Sequence, residues 1–236
     1  MFLQFKKKPK GVTVIEGFPG FGLVGTITTE YMLDHLKCEK IGTAYFEELP
    51  STVAIHKGGV LDPVGIYYSK KFNLVIIHSV AAMMGIEWKA ADLVNEICKQ
   101  LKAKHIYSIE GVGSPPRTPS SGRVFYYSTK KSEKKRLKIA KVDPLGEGVI
   151  IGVTAACLLK SNLPMTCLFA EVAGNLPDSK AAAEVIKVLD FLLKMKVDPK
   201  PLIKKAEEFE AKLHSLMEQA QKTQESADKK QLSYVG

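Results

Sequence analysis

Three apolar runs in this chain of 236 residues end in a glutamate soon followed by glycine: Glu16 in "VIEG", Glu110 in "IEGVG" and Glu171 in "AEVAG". Carboxylates at the ends of neighbouring strands do one of two jobs. They serve as general acid and base on a small substrate, or they accept hydrogen bonds from the backbone N–H groups of the loops that follow. No nucleophile elbow, phosphate loop or metal-ligand spacing accompanies them, which favours the second job. His78 closes a further run, "LVIIHS", beside Ser79. A histidine at such an edge is a candidate base, but more often a core residue whose ring nitrogens are satisfied.

Glu16 also opens the stretch "EGFPGFGLVG", which contains a literal G-x-G-x-x-G from Gly20 to Gly25. Dinucleotide loops use that spacing to lay backbone N–H groups on a pyrophosphate at a helix N-terminus. Glu47 and Glu48 lie about twenty residues on, near where a ribose-binding acid belongs. Against this, "GFP" separates the apolar run from Gly20, Pro19 removes a donor, and Phe18 and Phe21 crowd the loop. The better reading makes Gly17, Gly20, Gly22 and Gly25 the backbone geometry of a tight strand-to-helix turn. Phe18 and Phe21 are then packing or partner-contact surface. No cofactor and no catalytic constellation are expected.

The elements that must hold these residues alternate along the chain. "GVTVIEG", "KIGTAYFEEL", "NLVIIHS", "KHIYSIEGVG", "RVFYYST", "LKIAKVD" and "PMTCLFAEVAG" read as strands. Residues 23–37 form a helix with Val24, Ile27, Tyr31 and Leu36 on one stripe. Residues 85–103 form an amphipathic helix facing inward with Trp88, Ala91, Leu93, Val94, Ile97 and Leu101. "EGVIIGVTAACLLKSN", residues 147–162, is apolar nearly all round and reads as a buried helix. "PDSKAAAEVIKVLDFLLKM" is a helix capped by Asp178 or Ser179. Alternation of this kind calls for an α/β fold: a mostly parallel or mixed sheet flanked by helices on both faces, with mixed directions where short strands are inserted.

Composition adds bounds. With 45% hydrophobic and 25% charged residues the chain is globular, and no apolar run approaches the ~18 residues that span a bilayer. The opening "MFLQFKKKPKGV" places apolar residues before lysines, the reverse of a secretory leader, so a cytoplasmic setting and no membrane are expected. Cys38, Cys98, Cys157 and Cys167 show neither paired nor ligand spacing and read as reduced thiols, with no metal. The formal net charge is +9. The densest basic run, "STKKSEKKRLK", is read as a solvated face or hairpin. An acidic protein or RNA is the alternative, and nucleic acid is not the expected partner.

The last segment differs from the rest. Asp198 is a plausible N-cap with Pro199 at the first helical position. Leu202, Ala206, Phe209, Leu213, Leu216 and Ala220 then recur at alternating spacings of four and three, a heptad seam. Such a seam meets another helix or packs on its own domain. After Gln221 the chain turns polar and ends in "LSYVG", a docking tip or a frayed terminus. The expected organisation is an α/β domain over residues 1–197, a heptad-patterned helix over 198–221 and a flexible tail over 222–236.

Taken in order, "EGFPGFGLVG", "SIEGVGSPPRTPS", "PLGEGVIIGVTAACLL" and "CLFAEVAGNLPDSKAAAEVI" resemble the proteasome assembly chaperone family, archaeal members included. The resemblance spans residues 10–195 and implies a phosphorylase/hydrolase-like α/β fold without known catalysis. It also implies binding to proteasome α subunits or a related ring, as a homo-oligomer or with a second chaperone family member. Some members dock through a C-terminal hydrophobic–tyrosine–any-residue tail. Carried over, the partner-binding residues are Leu232, Tyr234 and Val235, although Tyr234 is third from the end and follows Ser233. The reading from another class is a hydrolase or phosphorylase for a nucleoside-like ligand, using Glu16, Glu110 and Glu171.

Overall fold

The computed structural model describes residues 1–49, 54–56, 58–113, 122–172 and 176–204. Among them are eleven strands: β1 (Phe2–Phe5), β2 (Thr13–Gly17), β3 (Glu39–Tyr45), β4 (Ala54–His56), β5 (Gly59–Leu61), β6 (Val64–Ser69), β7 (Leu74–Ser79), β8 (His105–Gly113), β9 (Val124–Ser128), β10 (Asp143–Pro144) and β11 (Met165–Val172). The helices are α1 (Val24–Leu36), α2 (Glu87–Gln100), α3 (Lys131–Ile139), α4 (Val153–Lys160) and α5 (Ser179–Leu193).

One mixed sheet runs in the order β1-β3-β6-β7-β2-β8-β11-β9-β10, and β4 and β5 form a separate hairpin. Its centre, β7-β2-β8-β11, is parallel. Toward the flanks β6 and β3 run antiparallel to their neighbours, and β9 runs antiparallel to β11 but parallel to β10. Mixed directions therefore fall where the sequence places its inserted short strands.

The parallel strands read as continuous apolar runs because both faces are covered. Successive side chains alternate between two cores. Val14, Val75, Ile77 and Ile106 meet Leu93, Val94 and Ile97 of α2 and Val153, Ala156 and Cys157 of α4. Ile15, Ile76 and Tyr107 meet Val24 and Met32 of α1, Leu137 of α3, and Ala182, Val185 and Leu189 of α5.

Several sequence expectations need correction. "LKIAKVD" is not a strand, and the lysine-rich run is a helix, not a hairpin. α3 forms because its Lys, Glu and Arg residues are good helix formers and because Leu137 and Glu133, four apart, share a buried face. Tyr107 donates to Glu133 at 2.8 Å, and Arg136 donates to both carboxylate oxygens at 3.0 and 3.1 Å. The helix expected over residues 147–162 starts only at Val153, after Gly152 at φ 96°. Val149 and Ile151 in the preceding segment are 86% and 71% exposed. Trp88 does not face the core; it is 55% exposed, with the Lys160 ammonium over its ring. The inward face of α1 centres on Thr28, Thr29 and Met32, with Ile27, Tyr31 and Leu36 at its margin.

At the C-terminal end Asp198 accepts the Lys200 N–H at 3.0 Å, as its capping position requires. Leu202 is buried in the core beneath α5. That corrects its place in an oligomer seam, because its apolar surface is already spent on its own domain. Ala206, Phe209, Leu213, Leu216 and Ala220 lie outside the described residues.

Between Asp178 and Ser179, the cap of α5 is Asp178, whose Oδ1 accepts the Ala181 N–H at 2.8 Å. Asp178→Ala should cost about 1 kcal/mol and lower Tm by roughly 2–4 °C. Scanning calorimetry checks this, and an unchanged Tm would show that the cap contributes nothing.

Candidate functional site

β2, β8 and β11 lie side by side, so their carboxyl ends share one edge of the sheet. Glu16 is in register with Ser108, Glu110 with Phe169, and Glu171 with Val112. Each carboxyl therefore stands two residues further along than the one on the preceding strand. A step of two returns a side chain to the same face. All three glutamates consequently project on the side covered by α2 and α4, as a rising diagonal.

The first loop closes over this diagonal. After β2 the chain makes a turn at Phe21–Leu23, with Gly22 at φ 61°, and enters α1 directly. Bare backbone is required by contact. A Cβ at Gly20 would fall on Glu110 Oε1, one at Gly17 on the Gly25 carbonyl, and one at Gly111 on the Phe21 carbonyl. A Cβ at Gly25 would lie 2.8 Å from the Ile109 carbonyl oxygen. The glycine spacing thus brings the loop against Glu110 and β8.

Glu16 is fully buried and Glu110 partly so. Ser108 Oγ donates to Glu16 Oε1. Ser108 Oγ lies 2.8 Å from Thr154 Oγ1, which lies 3.4 Å from Glu110 Oε2. The Gly111 N–H donates to Glu110 Oε1 at 3.2 Å. Three gaps in the chain Glu16–Ser108–Thr154–Glu110 need three protons, and two hydroxyls supply two. A hydrogen bond in every gap therefore requires a proton on one carboxyl. Electrostatics agrees: burial pushes Glu16 up to about 7. Burial, reinforced by the Glu16 charge, pushes Glu110 up to about 8. A proton held by one carboxyl can pass to the other by reversal of both hydroxyls.

Glu110 and Glu171 open onto a cavity of about 380 Å³, walled by Phe21, Phe125, Leu145 and Ile150. His78 stands apart from it. Its Nδ1 is 2.9 Å from Thr29 Oγ1, and burial lowers it to about 4, so it is a neutral core residue. The cysteines are free, and burial raises Cys98 to about 12 and Cys157 well above its ordinary range, which leaves both unreactive. Glu48 sits at the surface with Lys89. Among the described residues no group of three or more ligating side chains could hold a metal, and no helix is long and apolar enough to cross a membrane.

Of the partner residues read from sequence, Phe21 is 49% exposed at the cavity. Phe18 is 3% exposed and belongs to the α2/α4 core, so it has no face left for a partner, which corrects that expectation. Leu232, Tyr234 and Val235 lie outside the described residues. Ser108 and Thr154 carry no mark in the sequence, since only register and the start of α4 bring their hydroxyls together.

Residues 14–217 match the model of the PAC2 family. The chain belongs to the PAC2 family. It is 30% identical over 228 residues to MJ0106, an uncharacterised protein of Methanocaldococcus jannaschii, covering 94% of this chain and 92% of that protein. Among solved structures it is similar to Pyrococcus furiosus PbaA, an archaeal homolog of proteasome-assembly chaperone. That match has a TM-score of 0.80 and 26% identity, covering 97% of each chain. Pyrococcus furiosus PbaB, an archaeal proteasome activator, shares the fold at TM-score 0.76 and 22% identity, covering 92% of this chain and 98% of that one. The PAC2 assignment bears out the resemblance carried by the glycine loop and the three later stretches.

In this PAC2 chain the carboxyl pair makes stability depend on pH. Glu110 rises from 4.5 to about 8 on folding, so between those values the folded state holds a proton that the unfolded state has lost. Stability is then full at low pH and falls as pH rises toward about 8. Glu110→Gln stays neutral throughout. Its Tm should match wild type near pH 5 and exceed it by a few degrees near about pH 9. A Tm difference independent of pH would refute the shared proton.

Proposed function

We propose that this protein binds proteasome α subunits, or a related ring assembly, and helps to order them, acting in the cytoplasm as a homo-oligomer. The observation that carries the reading is the likeness to PbaA along 97% of both chains. Family membership across residues 14–217 supports it. Around the cavity, Phe21, Val149 and Ile151 are 49%, 86% and 71% exposed, an apolar rim suited to a protein partner.

Two segments complete the proposal. The helix over residues 198–221 meets a second copy through Phe209, Leu213 and neighbouring seam positions. The tail over residues 222–236 presents Leu232, Tyr234 and Val235 to a pocket on the ring. Several tails on one assembly gain avidity without new contacts. A second chaperone family member is the alternative source of the docking tail, given that Ser233 precedes Tyr234 and two residues follow it.

Pull-down from native lysate with the intact chain, read by mass spectrometry, should enrich α subunits. Deleting residues 222–236 should reduce that enrichment several-fold while leaving Tm unchanged. Recovery of no ring subunit by the intact chain overturns the reading, and undiminished recovery by the truncated one overturns the tail's role. Phe209→Asp should lower the mass seen by light scattering toward that of one chain, and an unaltered mass would remove the seam from the assembly.

A further inference from the structure

The cavity at the carboxyl edge is more than a fold of this type requires. A strand-to-helix turn needs its N–H groups satisfied, but it needs neither two shielded carboxyls joined by hydroxyls nor a void of about 380 Å³ beside them. Moving a carboxyl out of water is costly unless it is neutralised or paired with a cation. Glu110 closes the inner end of the void, where Thr154 and the Gly111 N–H hold it.

The groups facing Glu110 define what fits there. From β2 comes Glu16, reached through Ser108 and Thr154. From β11 comes Glu171, and from the segment before α4 comes Glu147. Among the described lining residues none is Lys, Arg or His. Arg123, which is not among the lining residues, stands 4.9 Å from the Phe125 ring centroid and 3.3 Å from Asp143. The remaining lining is apolar, with Phe21, Val112, Leu145 and Ile150 prominent. Among the described lining residues the charged side chains that an anion would meet are all carboxylates. A metal ion would lack a ligand set among the described residues. An organic cation on an apolar stem satisfies both halves of the lining: its charge meets the acid and its stem meets the aromatic and aliphatic wall.

We propose that this cavity binds an alkylammonium or alkylguanidinium group, with the cation on Glu110 and the stem along Phe21 and Ile150. The group comes from a free amine or from a lysine or arginine side chain of a partner. Binding turns the Glu110 carboxylic acid into a carboxylate paired with the cation. The displaced proton passes through Thr154 and Ser108 to Glu16, or leaves to solvent at the mouth. Along that relay the Glu110, Thr154 and Ser108 O–H bonds break as those of Thr154, Ser108 and Glu16 form, and no bond of another kind is broken. The inference does not require α-subunit binding, although Phe21 at the rim serves both readings.

The test is titration of the full chain with n-butylguanidinium and n-butylammonium, followed by NMR and calorimetry, with 1-pentanol and pentanoate as neutral and anionic matches. Both cations should saturate, and the two matches should not. Glu110→Gln, with its fold checked by thermal melting, should weaken cation binding at least tenfold. Phe21→Ala, which leaves the acid in place, should weaken it several-fold. A capped peptide with one central lysine, set against its norleucine counterpart, separates the sources. Saturation by the lysine peptide assigns a partner's side chain, and saturation by the free amines alone assigns a small amine. Failure of both cations to saturate, equal binding of 1-pentanol, or full affinity in Glu110→Gln overturns the proposal. Pull-down of α subunits with Glu110→Gln reads the other function separately.

Discussion

Gly20 rests its backbone on the Glu110 carboxyl, and much of the carboxyl edge is arranged by that contact. The loop reaches Glu110 only because Gly17, Gly20 and Gly25 bring backbone against backbone or carboxyl where a Cβ has no room. It enters α1 at once because Gly22 takes a left-handed turn without strain. From there α1 is laid on the face it shares with α5, and Thr29 is placed beside His78. Phe18 and Phe21, three residues apart on the same loop, end on opposite sides of the boundary: one in the core, one at the mouth of the cavity.

Holding Glu110 there sets a cost that the surrounding chemistry offsets. Two carboxylates in one apolar site repel and are poorly solvated, which raises the pKa of both and favours a proton on one of them. The hydroxyls of Ser108 and Thr154 share that proton between the two ends. Thr154 reaches the chain because α4 begins late, after Gly152. The same late start leaves Val149 and Ile151 exposed beside Phe21. An acid interior and an apolar rim are therefore products of one backbone decision, and this PAC2 chain presents both at the same edge.

Much of this was legible in the residues. The β-branched runs marked the central strands, and continuous apolarity in "LVIIHS" marked burial on both faces. Asp178 and Asp198 stood where helix starts need an acceptor. Repetition of Glu before Gly at three strand ends announced a shared edge. The misreadings have physical causes. Leu137 and Ile139 in "LKIAKVD" mimic a strand's alternation, yet Leu137 is claimed by the core four residues from Glu133, at the spacing of a helix. "EGVIIG" is apolar enough for a buried helix, but Gly148 and Gly152 break the pattern and leave it outside. Trp88 neighbours Ala91 at the margin of the inward stripe but lies away from its centre at Ala90, Val94 and Ile97, so the ring stays in solvent.

By itself the sequence determined the kinds of element, their order, the family pattern and the glycines that any close turn over β8 must have. These are local properties: period, propensity and the presence or absence of a Cβ. Tertiary structure alone decided that three glutamates separated by as many as 155 positions stand on one face, because that depends on which strands neighbour each other and in what register. It alone brought Ser108 and Thr154 between Glu16 and Glu110, since a hydroxyl has no pattern until something lies within hydrogen-bond reach. And it alone divided Phe18 from Phe21, because burial belongs to the packed molecule and not to the residue type.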